Sequence, residues 1–137
     1  MNKKIELMRK ACLCCDKSNC EVKTGCIVVK DGKIILESNN YIPADAVNGG
    51  MSEREYAVHA EEAAIKQANK KGVDLNGSQI YLSRFPCENC SEKIVALGIS
   101  KIYYMSDLFT HGNTAEPKLR NSGIKIEQIP ESEVWAE

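Results

Sequence analysis

YAVHAEEAAIKQANKKGVDLNGSQIYLSRFPCENC, residues 56–90, decides how the rest of the chain is read. Its first half is rich in alanine, ends in lysines and stops at Gly72, which predicts a helix from about Tyr56 to Lys71. Gln79 to Ser83 reads as a short strand, and Pro86 opens a second helix that runs through Leu97 to Gly98. Helix, strand and helix in succession put two helix N-termini on one side of a sheet. His59 opens the first of them, and Cys87 and Cys90 open the second. At i and i+3, both sulfurs can reach one point above a first helical turn, as a tetrahedral zinc ion requires. A helix N-terminus also favours thiolate over thiol. Three protein ligands leave a fourth position open, which marks a catalytic rather than a structural zinc.

Working outward, the stretch sits inside a regular alternation of elements. Lys3 to Cys15 carries apolar side chains at helical spacing (Ile5, Met8, Ala11, Cys12, Cys15). Thr24–Val29 and Lys33–Glu37 read as strands joined through Lys30-Asp31-Gly32, a strong hairpin signal. Ser38 to about Arg54, with Pro43 and Gly49-Gly50, reads as a long functional loop. Downstream, Lys101–Met105 is a strand, Pro117–Asn121 a short helix, and Ile124–Ile129 a last strand. The order α-β-β-α-β-α-β-α-β predicts an α/β domain spanning residues 1–137. Its five-stranded sheet is mixed, with the later strands parallel and helices on both faces. The tail after Pro130 is acidic, with Trp135 its one notable residue, and shows no readable role.

Composition narrows the class. Lys plus Arg number 18 and Asp plus Glu 19, a net charge of −1, with no basic stripe of the kind duplex nucleic acid demands. The N-terminus reads as no secretory signal and nothing reads as a membrane span, so a cytoplasmic protein is expected. Seven cysteines, an odd count, argue against a disulfide framework. Cys12-Leu13-Cys14-Cys15 repeats the C-x-x-C spacing inside a helix without a neighbouring histidine, and reads as small buried hydrophobes, with a second metal site at Cys12, Cys15 and Cys20 as the alternative. His111 reads as a surface residue.

A catalytic zinc that activates water needs a carboxylate beside it that moves protons without ligating. Glu61 and Glu62 both compete for that task. In an ideal helix Glu62, at i+3 from His59, shares the histidine's face better, and spacing leaves the choice open. His59-Ala60-Glu61 with Pro86-Cys87-Glu88-Asn89-Cys90 resembles the H-x-E…P-C-x-x-C signature of zinc-dependent nucleobase deaminases. The resemblance implies a cytidine deaminase-like three-layer α-β-α fold, bound Zn2+, metal ligands His59, Cys87 and Cys90, and Glu61 as the general acid/base. Phe85-Pro86-Cys87, Leu97-Gly98-Ile99, Tyr104-Met105-Ser106-Asp107, Ser18-Asn19-Cys20 and Thr24-Gly25-Cys26-Ile27-Val28-Val29 are similar to segments of deoxycytidylate deaminases.

That branch implies a dCMP-like nucleotide substrate, contacts at Asn40 and Ala60, and a homo-oligomer. Its G-Y-N-G segment is Ser38-Asn39-Asn40-Tyr41 here, and Ala63 stands where asparagine is common. The alternatives are deamination of a free base or nucleoside (cytosine, cytidine, guanine or an analogue) and a non-catalytic zinc-binding domain. The E-P-C motif of tRNA adenosine deaminases is replaced by Phe85-Pro86-Cys87, and no nucleic-acid polymer or membrane partner is expected. A phosphate would want a cation, for which Arg54 and Arg84 are candidates by position.

Overall fold

Strands β1 (Gly25–Lys30), β2 (Lys33–Asn39), β3 (Gln79–Arg84), β4 (Lys101–Ser106) and β5 (Lys125–Gln128) form one sheet in the order β2-β1-β3-β4-β5. The structure is a computed structural model that describes residues 2–45, 57–106 and 115–136. β1 pairs antiparallel with β2 and β3, while β3-β4 and β4-β5 are parallel. This is the mixed sheet expected from the alternation of elements. Asp31 and Gly32 both take positive φ (53° and 77°), the backbone that a two-residue type I′ hairpin turn requires.

Helices α1 (Lys3–Leu13), α2 (Ala60–Lys71), α3 (Glu88–Ala96), α4 (Glu116–Asn121) and α5 (Glu131–Val134) flank the sheet. The strand alternation sorts them. Cys26 and Val28 of β1 point into a core with Ala64 of α2 and Ile94 of α3, whereas Ile27 and Val29 join Leu7, Met8 and Ala11 of α1. β1 is therefore apolar on both sides, as a central strand must be. α1 lies close on this strand: a Cβ on Gly25 would stand 1.8 Å from the Ala11 carbonyl oxygen.

Two boundaries and the tail differ from expectation. The first helix ends at Leu13, and Cys14–Lys17 tighten into a 3-10 turn. α2 starts at Ala60 rather than near Tyr56, with His59 in extended conformation as its N-cap. The acidic tail is not idle. α5 buries Val134 completely in the α1-side core, and the Arg9 guanidinium donates to the carbonyls of Val134 and Ala136. No described helix is long and apolar enough to cross a membrane.

Candidate metal centre and active site

The site forms where α2 and α3 begin, at the carboxyl ends of β3 and β4. Beyond β2 the chain makes one isolated bridge, Tyr41 with Val58, through N–H···O bonds of 3.0 and 2.7 Å. That bridge delivers His59 to the N-cap of α2. On the other side, the Phe85 N–H donates to the Ser106 carbonyl (2.7 Å), holding the exit of β3 beside β4. Pro86, fully buried, then turns the chain so that Cys87 caps α3, its sulfur accepting from the Cys90 N–H at 3.4 Å.

His59 Nδ1 lies 3.5 Å from Cys87 Sγ and 3.3 Å from Cys90 Sγ, and the three donor atoms all fall within 4.8 Å of one another. Zinc bond lengths in a regular tetrahedron imply donor–donor edges of about 3.6 Å for N–S and about 3.8 Å for S–S. The donor set therefore fits a single tetrahedral ion. Among the described residues no other trio of His, Cys, Asp or Glu gathers in this way. Cys12, Cys15 and Cys20 form no such cluster.

Charge points the same way. The Cys87 thiol is lowered to about 4 by the hydrogen bond from the Cys90 side chain, with His59 and the Cys90 N–H adding to it against burial. Cys90 is pushed far up by that same contact with Cys87 and by burial, and His59 is raised by its hydrogen bond to Cys87. A divalent cation between the two sulfurs would hold both as thiolates, and the N-termini of α2 and α3 would partly offset the added charge.

The two glutamates occupy different surroundings. Glu62 is taken up by structure: Oε1 accepts from the His59 N–H at 3.2 Å, and Oε2 pairs with Lys93 Nζ at 2.9 Å. Burial would raise its carboxyl, but the Lys93 and His59 hydrogen bonds outweigh that and hold it below the ordinary range. Glu61 is only 4% exposed and interacts with the Cys90 side chain; burial raises its carboxyl above the ordinary range. Of the two, Glu61 is the carboxylate set against the donor trio.

Asn40 is buried, and its side chain is committed to the loop ahead of β1. Oδ1 accepts from Ser18 Oγ (2.7 Å) and the Thr24 N–H (2.9 Å), and Nδ2 donates to the Val22 carbonyl (2.8 Å). Ala60 is fully buried at the start of α2, its carbonyl accepting from Ser38 Oγ at 2.7 Å. Arg54, Asp107 and His111 lie outside the described residues. Two features escaped the sequence: the Lys93–Glu62 pair and the Ser38 tie to Ala60. Both join residues far apart in the chain, and only the strand alternation that puts Ser38 on the α2 side hinted at the second.

Residues 1–106 match the model of the cytidine and deoxycytidylate deaminase zinc-binding region. The chain is 31% identical to ComE operon protein 2 of Bacillus subtilis over 121 residues, covering 82% of this chain and 64% of that protein. It is 30% identical to deoxycytidylate deaminase of Saccharomyces cerevisiae over 136 residues, 89% of this chain and 43% of the relative. The chain thus spans less than two thirds of either relative. Its structure superposes on dCMP deaminase of cyanophage S-TIM5, solved with dCMP and dUMP, with TM-score 0.77 and 29% identity. That match covers 94% of this chain and 99% of the phage chain. A tetrahedral donor trio at two facing helix mouths and a family match that takes in the whole of it lead to one conclusion: the chain belongs to the cytidine and deoxycytidylate deaminase family.

Proposed function

We propose that this chain hydrolytically deaminates the cytosine ring of a deoxycytidylate-like nucleotide, replacing the amino group by a carbonyl and releasing ammonia. The observation that carries the reading is a buried carboxylate, Glu61, beside a donor trio shaped for zinc. His59, Cys87 and Cys90 would hold the ion. Zinc bound there supplies a Lewis acid that turns water into a nucleophile near neutral pH.

Glu61 does the remaining proton work. Its carboxylate takes a proton from the attacking water and passes it to the ring nitrogen next to the reacting carbon. It then relays the second proton to the departing amine, so that water is consumed, the C–N bond breaks and neutral ammonia leaves. A carboxyl raised by burial suits that exchange better than one held low in an ion pair. Glu62, already accepting from Lys93 and from the N–H of the helix cap, positions His59 instead.

The same reading takes a homo-oligomer as the working form and the cytoplasm as its compartment. The seven cysteines, an odd number and all free, support the second point. An ammonia-release assay of the zinc-loaded chain across cytosine, cytidine, deoxycytidine, their monophosphates, guanine and adenine tests the activity. Turnover concentrated on dCMP is expected. Turnover confined to a purine or to a free base would replace this reading.

A further inference from the structure

Two cysteines near the end of α1 reach neighbouring positions of the sheet. Cys12 Sγ donates to Met105 Sδ of β4 at 3.6 Å, and Cys15 Sγ lies 3.6 Å from Ser83 Oγ of β3. β3 and β4 are parallel, with Leu82 opposite Tyr104 and Arg84 opposite Ser106, so Ser83 stands beside Met105. Adjacent strands lie only about 4.8 Å apart, and the two thiols are therefore brought to one place. The backbone helps. α1 ends at Leu13 and tightens into the 3-10 turn of Cys14–Lys17, a geometry in which side chains three apart eclipse. Burial, and then the nearness of Cys15, raise the Cys12 thiol to about 12.

Three sulfurs thus gather at the rim of the α1-side core, against which Cys12 and Met105 pack. The opposite face of the sheet carries the core under α2 and α3, where the donor trio stands. Cys12, Cys15 and Met105 are all half-buried, which leaves an ion a way in. With metal–sulfur bonds of about 2.3 Å, two sulfurs of one trigonal ion stand about 4 Å apart. The 3.6 Å between Cys12 and Met105 needs only a small opening to match.

The donor types select the ion. Among the described residues no His, Asp or Glu completes a group of three around Cys12 and Cys15. The third donor is the Met105 thioether, which is no ordinary zinc ligand; together with thiolates it selects Cu(I). The C-terminal end of α1 adds partial negative charge, which also favours a cation.

We propose that Cys12, Cys15 and Met105 form a second metal site, which binds one Cu(I) ion through two thiolates and a thioether. Binding displaces the two thiol protons, and the copper keeps its oxidation state. Met105, rather than Cys20, is the third donor. The site shares no residue with His59, Glu61, Cys87 and Cys90 and does not rest on the deaminase reading.

The test titrates the zinc-loaded full chain with Cu(I), free of oxygen, against the chromogenic Cu(I) chelator bicinchoninate, and counts zinc in parallel. One Cu(I) per chain should leave the chelator while zinc content stays unchanged. X-ray absorption at the copper edge should show sulfur neighbours only. Cys12→Ser and Cys15→Ser should each abolish that uptake. Met105→Leu, which nearly conserves volume and so keeps the fold, should weaken Cu(I) binding by at least about 10-fold. Copper that expels zinc ion for ion, or that shows a nitrogen neighbour, would sit at the donor trio and overturn the proposal. Absence of uptake, or an affinity unmoved in both Cys12→Ser and Met105→Leu, would overturn it as well.

Discussion

Glu61 and Glu62 are adjacent in the chain, yet one is buried against the donor trio and the other is spent on a helix cap and a lysine. Ideal helical spacing favoured Glu62, because it assumes that a side chain in the first turn is free to follow the helix face. At an N-terminus it is not free: the third residue is drawn back to the unpaired N–H of the cap. Glu62→Gln should therefore cost stability, about 0.5–1 kcal/mol at neutral pH, a modest figure because Lys93 is well exposed. Its folded-state carboxyl is held below the ordinary range, so this stabilisation is present above the unfolded carboxyl value and is lost as pH falls through the folded one. Urea denaturation of both proteins at equal metal loading should show the difference closing in acid; a difference that stays constant would contradict the ion-pair account. Asn40 gives a second case. Its side chain satisfies Ser18, Thr24 and Val22, so Asn40→Ala should lower stability by about 1–3 kcal/mol in thermal denaturation. An unchanged Tm would mean that those groups find other partners.

At the scale of elements, much of the chain was legible before the fold was known. The Asp31-Gly32 hairpin, the two helices that carry the donor trio and the parallel later strands all follow from local patterns of turn residues, caps and periodicity. What stayed hidden has a common cause, dependence on contacts far along the chain. The shortened end of α1 is one instance, and the seat of α5 under Arg9 is another. Gly25 belongs to this group: nothing local distinguishes it, yet its missing side chain lets α1 lie against β1 at Ala11. Gly25→Ala should push the helix off the strand and cost about 1–3 kcal/mol, read as a lowered urea midpoint. A midpoint equal to that of the unmutated protein would show that the helix shifts freely.

For the whole molecule, the sheet divides two tasks. Its α1 side carries a closed apolar core completed by the C-terminal α5, and its α2/α3 side carries a core that opens into the site. Val134→Ala, in the first of these, should therefore reduce stability by about 1–3 kcal/mol while zinc content stays at one per chain. Loss of zinc in that variant would show that the two sides are not independent. The proposed site combines a donor trio held by two helix mouths with the buried carboxylate of Glu61. Paired zinc analysis and ammonia release for Glu61→Gln and the unmutated chain, with dCMP as substrate, test that arrangement most directly. The account predicts one zinc per chain in both proteins and turnover in the unmutated chain, with kcat in Glu61→Gln reduced by at least about a hundredfold. Full turnover in Glu61→Gln, or loss of its zinc, would contradict it.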